Sequence, residues 1–503
     1  MTPTILILSI INNKTMHIST KKNNHFYFST NHNSWLLLSP SLLSTLAYDH
    51  KKRIGSDDHQ RLQDHSFYLR KLKFLEESGT VKYSDDKENL ITKISKEEIE
   101  HNIANVRNVI FETTENCNLQ CKYCAYGEFY EEENHRERKT INNQDALALL
   151  KYLTKYWDSP LNESYDKDIS ISFYGGEPLL NVQFIEEIIS YCRSLKSKNY
   201  HFIFRMTTNG VLLNHHINFL IQNNFRVLVS LDGYEKNNSY RVLKNNKNSF
   251  SLIFKNLKEI KENHPDFFKN NIEFNSVLHN RNSVKEITDF FFKEFDKIPN
   301  ISHLNTSGIK ESKRKDFWNT YSNYSDYLQN TEDYSGIEKK LFIKSPIVQD
   351  TSFFIHSHIG FNAVDYNDLF RENTGKRVVP TGTCRPFSRR LFLSAKGEIL
   401  PCERINSEYA MGSVVNGKVN LASEDVAKNH SENLDKIKPL CEKCYFLQRC
   451  TQCLFYLNLN EKDIVCNGFL DKANYQIFLS QMISNIEEDT STYFKIVDEV
   501  SLS

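Results

Sequence analysis

Apolar residues follow two periods along this chain. Short runs of β-type composition occur at 106–111, 169–174, 202–206, 226–231, 272–278 and 301–304. Ile169-Ser-Ile-Ser-Phe173 alternates apolar and polar positions, the period of a half-buried strand. Between the runs lie segments with helical spacing, at 144–157, 182–195, 251–262 and 283–295. Strand alternating with helix predicts parallel βαβ units, because a parallel pair needs a crossover long enough to hold a helix. The body of the chain, 105–310, is therefore read as α/β.

The flanks follow other patterns. His25–Phe28 and Ser34–Leu38 read as two strands joined by a polar turn at 31–33. Ser39 and Pro40 suit the cap and first position of a helix. Phe67, Leu69, Leu72 and Leu75 predict a second amphipathic helix, which Gly79 stops before an extended piece at 81–83. Beyond the body, Phe317, Trp318, Tyr321, Tyr324 and Tyr327 recur at helical spacing and read as helix core. Ser352–Gly360 reads as a strand on which His356 and His358 alternate in structural or solvent-facing positions. The expected divisions are an extension over 1–19, a small domain over 20–85, the body, a bridging segment over 311–380, a cysteine-rich domain over 381–470 and a helix over 471–503.

Cysteine spacing changes the picture most. Cys117, Cys121 and Cys124 form C-x3-C-x2-C. Three thiolates in one short loop can hold three irons of a four-iron cluster and leave the fourth without a protein ligand. Such an open position is a Lewis-acid site, as at a catalytic zinc. A zinc knuckle or chance spacing gives the same triplet. Further on, Cys384, Gly397 and Cys402 give C-x12-G-x4-C, and Cys441, Cys444, Cys450 and Cys453 give C-x2-C-x5-C-x2-C before a final Cys466. Of 11 cysteines this leaves Cys192, which sits among Ile188, Ile189 and Leu195 and reads as a buried apolar residue. Spacing of this kind without a secretory signal reads as metal binding rather than a disulfide framework. Paired C-x2-C units also suit a zinc ribbon.

The triplet, with Tyr123 before its third cysteine, resembles the signature of radical S-adenosylmethionine (radical SAM) enzymes. Three strand ends agree with it. Gly175-Gly176-Glu177-Pro178 looks like the family's SAM-amine motif. Thr208-Asn209-Gly210 and Ser230-Leu-Asp232-Gly233 resemble its turns near the SAM ribose and methionine. Arg241 is read as a SAM-carboxylate partner or a surface ion pair. The resemblance implies a partial (β/α)6 barrel, a [4Fe-4S] cluster on the triplet and S-adenosyl-L-methionine on its open iron. The C-terminal cysteines resemble the SPASM domain, with one residue fewer in the last gap. That likeness implies two auxiliary iron–sulfur clusters, one on Cys441, Cys444, Cys450 and Cys466, the other on Cys384, Cys402 and Cys453. Glu403 falls where the similar sulfatase-maturating enzymes carry a substrate base; an ion pair with Arg404 is the other reading. The small N-terminal domain resembles the winged-helix element by which peptide-modifying radical enzymes hold a leader peptide; a structural cap on the barrel is the alternative. The implied partners are a ribosomally made precursor peptide and a one-electron donor such as flavodoxin or ferredoxin.

Composition sets bounds on this reading. The 503 residues suffice for about three domains. Basic and acidic side chains balance at 63 each, which argues against a broad electrostatic grip on nucleic acid and leaves only a local groove open. The opening apolar run, Ile5–Ile11, is too short for a membrane span and has no basic residue before it. The expectation is a soluble cytoplasmic protein without membrane partners, with Met16 as an alternative start.

Overall fold

The computed structural model describes residues 15–29, 34–38, 70, 90–130, 137–163, 167–195, 200–306, 308–324, 334–358, 385–447, 450–459 and 464–500. Six parallel strands form its centre: β4 (Asn108–Thr114), β5 (Lys167–Gly175), β6 (Tyr200–Thr208), β7 (Arg226–Ser230), β8 (Ile272–Val277) and β9 (Asn300–Ser302). They stand side by side in chain order, and each overlaps one of the six apolar runs of the sequence. Helices Asn143–Trp157, Val182–Ser194, Phe250–Asn263 and Val284–Phe295 match the expected crossovers, and Leu213–Gln222 adds another. Two starts are side-chain capped: Asn142 Oδ1 accepts from Asp145 N–H at 3.2 Å, and Ser283 Oγ accepts from Glu286 N–H at 3.1 Å. Phe111, Phe173, Phe184, Ile185 and Ile188 meet between sheet and helices as one buried core, with Cys192 inside it. Inward positions 169, 171 and 173 of β5 are all buried, as its alternation predicts.

The sheet does not stop at six strands. β10 (Leu391–Leu393) lies parallel to β4, and β11 (Glu398–Leu400), β12 (Gly412–Val415) and β13 (Lys418–Asn420) continue it antiparallel to ten. The cysteine-rich region thus covers the barrel's first edge, which would otherwise offer unpaired backbone groups. Strands of three or four residues are too short to show in a periodicity.

The two predicted N-terminal strands are present as β2 (His25–Ser29) and β3 (Ser34–Leu38), antiparallel to each other. A strand absent from the sequence reading, β1 (Thr15–Ser19), pairs with the other side of β2. Met16, Ile18 and Phe28 pack on Val348, Tyr475, Leu479 and Ile496. The turn at 31–33, the expected helix near Ser39, that at 67–75 apart from residue 70, and the piece at 81–83 lie outside the described residues.

Two expectations are corrected. Ser352–His358 is not a strand but the end of helix Pro346–His358, begun by a proline at its first position. The final segment is two helices, Lys472–Glu488 and Thr490–Glu499, divided where Asp489 Oδ1 accepts from Ser491 N–H at 3.1 Å and Thr492 N–H at 3.2 Å. The aromatic stripe holds in part. Phe317 and Tyr324 are buried, whereas Trp318 is half exposed on the short helix Arg314–Thr320. No helix among the described residues is long and apolar enough to cross a membrane.

Gly397 turns β10 into β11 at φ +84°, and a Cβ there would lie 2.4 Å from Val414 O. Strain at such a position costs about 1–3 kcal/mol. Gly397→Ala should lower the urea midpoint of the cluster-loaded protein; an unchanged midpoint would contradict this hairpin.

Candidate active site at the carboxyl ends of the barrel strands

The cysteine triplet follows β4 directly and folds over the strand ends. Gln120 N–H donates to Val242 O at 2.8 Å and Lys122 N–H to Tyr240 O at 3.1 Å, pinning the loop to the segment after β7. The loop then tightens locally, with Cys124 N–H on Cys121 O at 3.1 Å. Cys117, Cys121, Tyr123 and Cys124 line a cavity of about 840 Å³, together with Gly175, Gly176, Thr208, Asn209 and Ser230. The predicted residues therefore converge from four strand ends. Asn275 and Val277 of β8, and His303 just beyond β9, complete the wall. His303 follows an unremarkable apolar run, and nothing in the sequence marks it.

Gly175 ends β5 at φ +139°, where a Cβ would stand 2.4 Å from Thr114 O. Only glycine allows β4 and β5 to close this tightly. Glu177 ties strand ends together. Its Oε1 accepts from Thr208 Oγ1 at 2.7 Å and Leu179 N–H at 3.2 Å, and its Oε2 accepts from Asn209 N–H at 2.8 Å. The carboxyl is fully buried, and burial pushes its pKa up to about 7 against those three donors. Pro178 begins the short 3-10 turn that Glu177 caps. The cavity wall is thus made by the two glycines, with Glu177 holding Thr208 and Asn209 in place.

Asp232 also stands behind the wall. Arg241 grips it bidentately, Nε to Oδ2 and Nη2 to Oδ1, both at 3.0 Å. Val277 N–H donates to Oδ1 at 3.0 Å, Tyr123 O–H donates to Oδ2, and His279 Nε2 lies 3.6 Å from Oδ2. Burial opposes the Asp232 charge, but Arg241 and then His279 outweigh it and hold the carboxyl well below its usual range. Arg241 is neither a surface residue nor free for a ligand carboxylate through these two nitrogens. His279 is the member that sequence reasoning missed.

The C-terminal cysteines fall into two groups. Burial pushes the Cys441 thiol up to about 12, and the next contributions come from Cys450, Cys466 and Cys444, the grouping expected for one cluster. Tyr456 is raised by burial and stands beside both Cys402 and Cys453. Cys384 lies outside the described residues. Glu403 faces Arg390, whose Nη1 reaches its two oxygens at 2.7 and 3.0 Å; Arg404 is farther, at 3.7 Å. Burial favours the neutral acid, yet Arg390 more than offsets it and holds the pKa of Glu403 below the ordinary value. This is the environment of an ion pair rather than of a base, which needs a raised pKa.

The donor set fits an iron–sulfur cluster. All three thiols of the triplet are half-buried at one cavity. Cys117 Sγ receives Leu119 N–H at 3.4 Å and Asn209 Nδ2 at 3.7 Å, the kind of donor that stabilises cluster-bound sulfur. Among the described residues no group of three His, Cys, Asp or Glu is closed around a single metal ion. A cubane asks instead for one thiolate at each of three irons. When bound, such a cluster supplies the electron that cleaves SAM to the radical that abstracts hydrogen. The chain's own part is to hold the triplet, shape the cavity and limit water there.

Glu177 gives a pH test. Its folded pKa is raised above the unfolded 4.5, so the folded state holds the proton longer. Ionising it therefore costs stability as pH rises between about 4.5 and 7. Glu177→Gln should flatten the fall in urea midpoint between pH 6 and 7, and should lower stability overall, since Asn209 N–H loses its acceptor. A wild-type slope in the variant would contradict the assignment.

Residues 111–291 match the Radical SAM superfamily. The chain is 27% identical over 394 residues to a cysteine-type anaerobic sulfatase-maturating enzyme of Clostridium novyi, covering 75% of this chain and 94% of that one. It is 24% identical over 393 residues to the radical SAM cyclopropyl synthase TigE of Paramaledivibacter caminithermalis, covering 76% and 74%. The solved structure of anSMEcpe with bound AdoMet shares the fold, with a TM-score of 0.54 at 17% identity over 78% of this chain and 99% of that one. With the triplet, the glycine pair and the TNG turn gathered at one cavity, residues 111–291 form a radical SAM domain, and the chain is a radical SAM enzyme that uses a [4Fe-4S] cluster and SAM.

Proposed function

We propose that this enzyme is a peptide maturase, installing a cross-link or an epimerisation on a ribosomally made precursor peptide. A flavodoxin- or ferredoxin-like donor would supply the electron in the cytoplasm. The observation that carries the reading is the β1–β2–β3 sheet. It lies outside the barrel and is seated on the C-terminal helices. Among the described residues β3 has no strand on its outer side, so a leader peptide can add there by main-chain hydrogen bonds. β2, the inner strand, has both edges occupied. Leader binding remote from the reacting centre would hold the target side chain at high local concentration.

Formylglycine formation on a sulfatase is the second reading, and the likeness to sulfatase-maturating enzymes favours it. The extra sheet favours the first. A non-catalytic zinc or electron-transfer module is set aside, because the chain is an enzyme. The two auxiliary clusters would take up the substrate electron or position the peptide.

Two experiments test this. Reconstituted anaerobically, the protein should carry about twelve irons if all three clusters are cubanes. Replacing Cys117, Cys121 and Cys124 together by Ala should abolish 5′-deoxyadenosine formation and remove about a third of that iron. Stoichiometric zinc without acid-labile sulfide would remove the auxiliary-cluster assignment.

The second experiment uses the edge of β3. Consecutive strand residues point their N–H groups to opposite sides. Of Leu36→Pro and Leu37→Pro, one therefore removes an outward donor and spares the β2 ladder. That variant should bind the leader half of its precursor peptide at least tenfold more weakly, with peptide-independent SAM cleavage retained. Equal leader affinity in both variants and the parent would return the sulfatase reading to first place.

A further inference from the structure

Tyr123, Asp232, Arg241 and His279 form a charged group buried beneath the cysteine loop. The Asp232 and His279 side chains are fully buried and that of Arg241 is 7% exposed. Ion pairs buried this deeply add little net stability over well-packed apolar residues, so stability alone does not explain one. What this group does is join elements. Asp232 follows β7, Val277 ends β8, His279 follows it, and Tyr123 stands within the cysteine loop; the Asp232 carboxylate meets all three.

The backbone gives Arg241 a particular place. The loop donates to the carbonyls on either side of it, at Tyr240 and Val242, and Leu119 bridges Leu243. Cys121 therefore lies across from Arg241, between two main-chain hydrogen bonds. The guanidinium also stands 5.4 Å from the Tyr123 ring centre. Arg241 lines the cavity together with Cys117, Cys121 and Cys124, whereas Asp232 stands behind it. The cation of the pair therefore faces the cysteines.

We propose that Arg241 is a positioning residue for the cysteine loop, acting through Asp232 and Tyr123, and that its guanidinium raises the reduction potential of the core cluster by placing net positive charge beside Cys121. Positive charge near a cluster favours its reduced, more negative form. The inference depends on the radical SAM core and not on the identity of the substrate.

The test is an EPR-monitored reductive titration of the full-length, anaerobically reconstituted protein. The core signal is the one that added SAM perturbs. Asp232→Asn removes the anion and should move the core potential upward. Arg241→Met removes the cation and should move it downward. Tyr123→Phe keeps both charges but breaks the link to Asp232; it should leave the potential near that of the parent and speed loss of core iron to a chelator. Shifts of opposite sign in the first two variants support the charge role, and equal potentials overturn it. Parent-like iron retention in all three overturns the positioning role. Should Arg241→Met lose the core cluster outright while keeping auxiliary iron, positioning is supported and Asp232→Asn decides the charge role by itself: an upward shift upholds it and no shift ends it. None of these measurements uses a peptide, so their failure is separable from failure of the proposed function.

Discussion

Parallel strand order is the constraint from which the rest follows. Six strands that run the same way, in chain order, deliver all their carboxyl ends to one rim. Backbone groups at that rim have no further ladder partners, so turns, side chains or ligands must satisfy them. The chain meets this with glycine and with short polar residues. Gly175 lets β5 close on Thr114 O, and Thr208 and Asn209 turn β6 onto the Glu177 carboxylate. The cysteine loop is then laid across the same rim and pinned to the segment after β7. Cavity and cluster loop are both consequences of where the strands end.

Two buried carboxylates near this rim are treated in opposite ways. Glu177 meets only neutral donors, and burial lifts its pKa to about 7. Asp232 meets a guanidinium, and its charge is retained despite equal burial. The first arrangement ties adjacent strand ends without fixing a charge. The second places a permanent dipole under the loop. Neutral donors and a cation are therefore not interchangeable supports here, although both leave their carboxylates fully hydrogen-bonded.

The six barrel strands and their crossovers were legible because a repeated βαβ unit writes two periods into the sequence. The rim residues were legible because their types are restricted by backbone geometry and ligand chemistry, as at Gly175 and the cysteine triplet. Roles were less so. Glu177 and Asp232 carry the right motifs, yet their side chains turn behind the wall, and no linear pattern records which way a buried carboxylate faces. Arg390, the partner of Glu403, is 13 residues away across a hairpin, whereas the adjacent Arg404 is the weaker contact. His279 joins Asp232 from 47 residues further along, a pairing made only when β7 and β8 align. The strands β10–β13 are too short to be periodic, and Ser352–His358 has strand-like composition that the preceding Pro346 overrides.

The N-terminal sheet has three short strands, and a small sheet gains stability by packing its apolar face on a helix. Its inner face is completed by residues from the opposite end of the chain. Phe28 meets Tyr475 edge-on at 6.3 Å, and Tyr475 in turn meets Phe446 at 6.1 Å. Phe446 lies between Cys444 and Cys450, and Leu470 fastens the same loop by accepting Tyr445 N–H at 2.9 Å while its own N–H reaches Cys444 Sγ at 3.5 Å. The turn after β1 adds polar contacts, with Lys21 on Glu488 at 2.9 Å and Asn24 on Glu487 at 2.8 Å. The sheet is thus mounted on the cysteine-bearing loop through one aromatic layer, rather than on the barrel. Order in that loop and order in the sheet are parts of a single packing problem, because β2, on which β3 is paired, rests on the aromatic layer that also meets the loop between Cys444 and Cys450.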